Sequence, residues 1–117
     1  MNNENQLKIK SIICNKDKIN IEFSDSYKSI ISAELLRVES PSAEVQGHSI
    51  NQKTTPINKK NVSIINIEKV GNYAIRIIFD DGHNTGIYSW DYLRKMSEQK
   101  TILYKNYLER VKKISCP

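Results

Sequence analysis

The sequence predicts an α+β domain made of two degenerate β-β-β-α halves, which form a mainly antiparallel sheet with a C-terminal helix packed on it. Three observations predict this fold. Short runs alternate between apolar and polar residues, which is the period of strands with one buried face. The alternating pattern recurs once along the chain, and the last segment has the spacing of an amphipathic helix.

Length and composition favour one folded domain. A chain of 117 residues can bury a core without disulfides or a structural metal. A content of 38% hydrophobic and 26% charged residues is far from that of a disordered chain. The cysteines, Cys14 and Cys116, are far apart and encode neither a disulfide framework nor a cysteine-rich zinc site.

These features also predict where the protein resides. Widely separated cysteines fit a reducing compartment, so we expect a cytoplasmic location. Residues 1–6 are polar and are expected to be disordered. No apolar run is long enough for a signal segment or a membrane span, so we expect no membrane association.

Two segments with strand periodicity can be superimposed. At an offset of 56 positions the equivalent pairs are Ile9 and Ile65, Ile19 and Ile75, Ile21 and Ile77, Phe23 and Phe79, and Asp25 and Asp81. One inserted residue raises the offset to 57, which pairs Ile30 with Ile87, Ser32 with Ser89, Glu34 with Asp91, Leu36 with Leu93, and Arg37 with Arg94. Agreement at so many positions indicates an internal duplication.

Each half is predicted to run strand, turn, strand, turn, strand, short helix. Turns are expected at residues 15–17, 71–72 and 81–82, which carry the Asn, Asp and Gly residues that tolerate positive φ angles. The short helices are expected to begin after Ser32 and Ser89, whose hydroxyls can accept from the free amides of a helix start. Acidic residues follow in both first turns, where the helix dipole favours them.

The C-terminal helix is predicted over about residues 101–114. Leu103, Tyr107, Val111 and Ile114 fall on one helical face, which we expect to pack on the sheet. The single domain is expected to cover residues 7–114, with halves at about 7–38 and 62–97.

A long segment, residues 39–61, separates the halves and is rich in Ser, Pro, Gln, Thr and Asn. Loops of this length without structure of their own are uncommon in compact domains and are usually functional or disordered. Residues 40–48 are mixed in character and are expected to be ordered, whereas residues 53–56 are expected to be mobile.

Histidine chemistry can involve only His48, in this loop, and His83, directly after the turn at residues 81–82. His83 beside Asp80 and Asp81 would make a feasible mixed nitrogen and oxygen metal site. The alternative is an exposed or hydrogen-bonded strand histidine. The chain carries no nucleophile elbow, zinc-protease helix, Walker loop or dinucleotide fingerprint, so catalysis by this chain alone is not expected.

Charge and aromatic residues leave two further alternatives open. The net charge of +5 and a pI of about 9.2 allow a basic nucleic-acid-binding module. The cations of that hypothesis are Arg94, Lys95, Lys105, Arg110 and Lys112. Because the positive charge is spread along the chain, we expect a solvated surface and consider nucleic-acid binding the weaker alternative. Trp90 is either a core residue or an exposed anchor for a partner.

Four segments resemble one known family. They are residues 36–48 (LRVESPSAEVQGH), 70–75 (VGNYAI), 79–83 (FDDGH) and 86–93 (GIYSWDYL). Together they resemble the gamma-butyrobetaine hydroxylase-like N-terminal domain, and in particular its stand-alone bacterial members of unknown function. The resemblance extends from about residue 9 to about residue 111.

The resemblance implies a small α+β domain that also precedes iron- and 2-oxoglutarate-dependent hydroxylases and is fused to P-loop ATPases with iron–sulfur clusters. Those catalytic parts have no counterpart in this sequence, so hydroxylase activity is not transferred. In the hydroxylases the domain holds zinc through three cysteines and a histidine. Here Ser40, Ser42 and Val45 replace the cysteines and His83 remains, so no cysteine-based zinc site is expected.

The resulting hypothesis is a non-catalytic accessory or binding module linked to iron or iron–sulfur metabolism. His48 and His83 are the candidate ligands of an iron or zinc ion, on the condition that the long loop folds back over the second half. The candidate binding surface consists of Arg37, Ser40, Glu44, Gly47, Asp81 and Trp90. The expected partner is a protein, with iron–sulfur assembly machinery as the candidate, and a small enzyme is a further alternative.

Overall fold

A computed structural model describes residues 8–42, 45 and 59–115 of the chain. The expectations for residues 1–6 and for residues 46–58 therefore lie outside the described residues. The elements are β1 (Ile9–Cys14), β2 (Lys18–Phe23), β3 (Lys28–Ser32), α1 (Ala33–Val38), β4 (Ile64–Val70), β5 (Ala74–Phe79), β6 (Ile87–Ser89) and α2 (Trp90–Ser115).

The predicted α+β class with antiparallel strands is confirmed. The strands form two three-stranded sheets, ordered β1-β2-β3 and β4-β5-β6, and every neighbouring pair is antiparallel. The central strand of each sheet follows the alternation read from the sequence, because Ile19, Ile21 and Phe23 are buried on β2, and Ile75, Ile77 and Phe79 are buried on β5. These faces meet in one hydrophobic core.

The internal duplication is visible in the backbone. Each first hairpin has a register irregularity near its start, between Ile9 and Ser11 in β1 and between Ile64 and Asn66 in β4. The turn after each central strand contains one residue with positive φ, at Ser26 (φ 72°) and Gly82 (φ 90°). The two halves therefore share their local geometry as well as their sequence pattern.

Both predicted helix starts are confirmed. The Ser32 hydroxyl accepts a hydrogen bond from the Leu35 amide at 3.1 Å, and the Ser89 hydroxyl accepts one from the Tyr92 amide at 3.0 Å. Each serine thus satisfies one of the amides that a helix start leaves without an intrahelical partner.

The end of the chain differs from the prediction of two separate helices. One continuous helix, α2, runs from Trp90 to Ser115. Residues 98–100 are Glu, Gln and Lys, which are good helix formers and include no Gly or Pro to end the helix. Arg94 also contacts Glu98 one turn later, at 2.7 Å. Helix α2 packs against β6 of its own half and against β3 and α1 of the first half.

Two ion pairs cross between the halves in opposite directions. Arg37 at the end of α1 contacts Asp81 at 2.8 Å, and Arg94 in α2 contacts Asp25 at 2.9 Å. Arg37 and Arg94 are equivalent in the duplication, and so are Asp25 and Asp81. Each helix is therefore joined to the turn of the other half by the same kind of ion pair. The Arg94 guanidinium also lies over the ring of Tyr27, 4.1 Å from its centroid.

Substitutions at the two positive-φ positions should change the free energy of unfolding in opposite directions. Ser26→Gly should stabilise the fold by about 0.5–1 kcal/mol, because glycine adopts positive φ without strain. Gly82→Ala should destabilise it by about 1–2 kcal/mol. A Cβ at Gly82 meets nothing within 4 Å, so this loss isolates backbone strain. Urea unfolding of both variants measures the two changes, and equal signs would contradict the assignment.

Candidate functional site

His83 lies inside the protein. Its exposed fraction is 7%, and its Nε2 atom lies 2.9 Å from the Ser40 hydroxyl and 3.4 Å from the Ser42 hydroxyl. Ser40 is fully buried, and Ser42 is 7% exposed. The three side chains form what we call the serine–histidine cluster. It joins the segment after α1 to the turn after β5.

Close packing holds Ser40 against the second half. Gly86 precedes β6, and a Cβ atom at that position would lie only 2.4 Å from the Ser40 hydroxyl oxygen. Two tyrosines of the second half fix the same segment, since Tyr88 donates to the Leu36 carbonyl and Tyr92 to the Glu39 carbonyl, each at 2.5 Å. Glycine at position 86 is therefore required for the approach of the two halves.

A cluster of charges lies beside the histidine. The Asp81 carboxylate accepts from the Arg37 Nε atom at 2.8 Å and contacts the Lys59 Nζ atom at 2.7 Å. Its other oxygen accepts from the His83 amide at 3.1 Å. Partial burial would raise the pKa of Asp81, but the bonds from Lys59, the His83 amide and Arg37 outweigh it and lower that pKa to about 2.

The tyrosines behind the cluster are held neutral. Burial raises the pKa of the Tyr88 hydroxyl well above its ordinary value. Burial and the nearby Glu39 carboxylate raise the pKa of Tyr92 to about 12. Glu39 is itself 3% exposed and pairs with Arg110 of α2 at 2.9 Å. These groups serve as hydrogen-bond donors and ion-pair partners within the fold.

The structure brings four of the candidate residues together. Arg37, Ser40, Asp81 and His83 lie in one connected network, while Trp90 lies elsewhere and donates its indole N–H to the Asn72 carbonyl at 2.8 Å. Trp90 is half-buried against the core. The remaining candidates, Glu44, Gly47 and His48, lie outside the described residues, so the meeting of His48 with His83 stays a prediction.

The donor set around His83 does not fit a cysteine-type zinc centre. Ser40 and Ser42 present neutral hydroxyls, and Val45, which is 2% exposed, presents an isopropyl group. Neither group is a competent zinc ligand. Among residues 8–42, 45 and 59–115, no group of three or more His, Cys, Asp or Glu side chains is placed to hold a metal ion.

Sequence reasoning missed several members of this network. Lys59 was read as part of the loop, and the pairing of Glu39 with Arg110 joins residues 71 positions apart. Two cations of the nucleic-acid hypothesis, Arg94 and Arg110, are joined to carboxylates of the same chain. The pairs that Arg94 makes with Asp25 and Arg110 with Glu39 have no local sequence signal, because these partners meet only through the docking of the halves.

These observations define a duplicated α+β domain with an interior polar cluster. Comparison with known proteins agrees with this class: residues 11–94 match the family described as gamma-butyrobetaine hydroxylase-like, N-terminal. The chain belongs to this family. No curated protein matches it significantly.

Three solved structures are similar to this chain. A crystal structure of a protein of unknown function of the DUF971 family, from Acidithiobacillus ferrooxidans, is 32% identical, with a TM-score of 0.64 over 77% of this chain and 92% of that one. A solution NMR structure is 37% identical, with a TM-score of 0.80 over 100% and 89%. A second NMR structure is 34% identical, with a TM-score of 0.75 over 89% and 83%.

Helix length and apolar content decide whether a helix can span a membrane. Within the described parts of the chain, no helix is both long enough and apolar enough to cross a bilayer. Helix α2 is long enough but carries charged residues throughout.

The Asp81 network predicts a pH dependence. Because the pKa of Asp81 is lowered in the fold, its contribution is fully present above about pH 4 and is lost as the pH falls toward 2. Asp81→Asn should cost about 1–2 kcal/mol at pH 7 and flatten the acid limb between those values. Urea unfolding across pH measures this. Asp25→Asn, at the equivalent but half-exposed position, is the control and should cost less.

The close approach of Gly86 to Ser40 gives a second test. Gly86→Ala should destabilise the fold by about 1–3 kcal/mol, because the new methyl group collides with the Ser40 hydroxyl. In the double variant with Ser40→Ala the collision is relieved, so the combined loss should fall below the sum by more than about 0.5 kcal/mol. Additive losses in chemical denaturation would show that the two residues are not in contact.

Proposed function

We propose that this domain is a non-catalytic accessory module that binds a protein partner and is linked to iron or iron–sulfur metabolism. The single observation that carries the proposal is the position of His83. Its Nε2 atom is engaged by two buried serine hydroxyls, which leaves it poorly placed to serve as a general base for a substrate.

The acidic groups near the cluster support the same conclusion. Asp81 is held by Arg37 and Lys59, and Glu39 is held by Arg110, so both carboxylates are neutralised by cations of the same chain. A catalytic carboxylate usually has its pKa moved toward neutrality, whereas the pKa of Asp81 is moved away from it. These groups stabilise a scaffold.

Family membership supports an accessory role. The matched family is defined by the N-terminal part of hydroxylase-like proteins, and the similar crystal structure belongs to a protein of unknown function. The link to iron rests on the resemblance to domains that accompany iron enzymes. A candidate partner is therefore iron–sulfur assembly machinery.

Metal binding through His48 and His83 is the more specific form of the proposal. A metal ion at His83 would have to replace a serine hydroxyl at Nε2 or use the other ring nitrogen. Iron and zinc both accept imidazole ligands. The long loop would supply His48 in that arrangement.

Titration of the ¹⁵N-labelled protein with Fe(II) under anaerobic conditions, or with Zn(II), tests the metal form. Binding predicts saturable amide shifts at both His48 and His83. His48→Gln should abolish the shifts at His83 while the unliganded spectrum stays native, and Mg(II) serves as the control ion. Unchanged signals at both histidines would eliminate the metal form and leave the accessory module.

A further inference from the structure

A cleft of about 640 Å³ lies between the two sheets. Its walls come from β1 and β4, which are the first strands of their sheets and each lie at a sheet edge. In the part of the chain that the structure describes, no strand pairs with the outer edge of either one. At one end the Ile64 amide of β4 donates to the Lys16 carbonyl, which follows β1, at 2.7 Å. The rest of these edges has no strand partner among the described residues, and such edges are natural templates for a further strand.

The floor of this inter-sheet cleft is apolar. Ile9 and Ile12 of β1, Ile67 of β4, and Trp90 at the start of α2 all line it. Each of these four side chains is only half-buried, so apolar surface remains open to a ligand. The volume falls within the range of about 300–1,000 Å³ that ligand-binding clefts occupy.

The charged side chains that line the rim of the cleft among the described residues are all positive. Lys8, Lys10 and Lys69 line it, and no Asp or Glu does so among the described residues. Lys10 contacts Glu22 at 3.6 Å, but its side chain is 68% exposed, so this pair is weak. The cleft therefore favours an anionic occupant.

The spacing of the lysines indicates the shape of that occupant. Lys8 and Lys10 flank Ile9 at the start of β1, where the register with β2 shifts between Ile9 and Ser11, so both lysines lie beside a bulge at the strand edge. Acidic side chains at alternate positions of an extended peptide lie on one face and can contact such a pair of lysines. The intervening side chains of such a peptide would face the isoleucines of the floor.

We propose that the inter-sheet cleft binds an extended acidic segment of a protein partner, which adds as a strand along β1. The inference rests on the proposed function and names the partner's chemistry. Main-chain hydrogen bonds supply affinity in this mode of recognition, and the alternating side chains supply specificity. Nucleic acid is less favoured because single strands need stacking platforms, and among the described residues Trp90 is the one aromatic side chain that lines the cleft.

Synthetic peptides and the single tryptophan provide the test. A fluorescein-labelled ten-residue peptide that alternates Glu and Val should raise anisotropy on binding, and its unlabelled form should change Trp90 fluorescence. A peptide of the same composition with five Glu followed by five Val should bind at least tenfold more weakly. Binding should also weaken steeply with added NaCl, because exposed charges are screened.

Charge-matched variants separate the cleft from net charge. Lys8→Glu with Lys69→Glu should weaken binding of the alternating peptide at least tenfold. Lys28→Glu with Lys105→Glu alters the same number of exposed lysines outside the cleft lining and should change it less than threefold. Amide shifts on binding should concentrate at Ile9–Cys14.

Three results in the binding assays would overturn the proposal. They are equal losses in both double variants, equal binding of the two peptides, and tighter binding of a ten-nucleotide oligothymidine than of the alternating peptide. Capture of a native partner by the Lys8→Glu and Lys69→Glu variant at wild-type level would also reject the cleft, while the accessory function would survive. If the wild-type protein captures no native partner at all, the accessory function itself is rejected.

Discussion

The docking of the two halves on one hydrophobic core, with an ion pair exchanged in each direction, is the constraint on which this scaffold depends. Arg37 of the first half reaches Asp81 in the second, and Arg94 of the second half reaches Asp25 in the first. Because each pair joins a helix to the other half's turn, neither half can move without losing a contact with its partner. The exchange also brings the segment after α1 against the turn after β5, which is where the serine–histidine cluster forms.

The two halves differ near the turns that accept the exchanged ion pairs. Tyr27 and His83 are equivalent, and each packs against the preceding phenylalanine, with ring centroids 5.9 Å and 6.0 Å apart. In the first half Arg94 lies over the Tyr27 ring, whereas in the second half the imidazole of His83 lies within hydrogen-bond distance of the Ser40 hydroxyl. The same backbone therefore supports a cation–aromatic contact on one side and a buried polar cluster on the other.

The interior and the surface have different roles in this protein. Most polar groups near His83 bond to one another inside the fold, as buried polar groups usually do, although the Arg37 Nη1 atom has no hydrogen-bond partner among the described residues. The edges of β1 and β4, by contrast, carry half-buried apolar side chains and lysines that line one cleft, and no further strand pairs with them among the described residues. A packed scaffold with an open strand edge is well suited to presenting a binding surface, because little conformational entropy is lost on association.

The sequence by itself determined the strands, the duplication and both helix starts, because periodicity and capping act between residues close in the chain. It also singled out Arg37, Ser40, Asp81 and His83. Only the tertiary structure decided that these four residues meet, that Lys59 joins Asp81, and that the strands divide into two sheets. The continuity of α2, by contrast, has a local cause in the sequence, because residues 98–100 are good helix formers without Gly or Pro. The meeting of these residues and the division into two sheets depend on how two similar halves dock, and contacts between residues far apart in the chain leave no periodic signal.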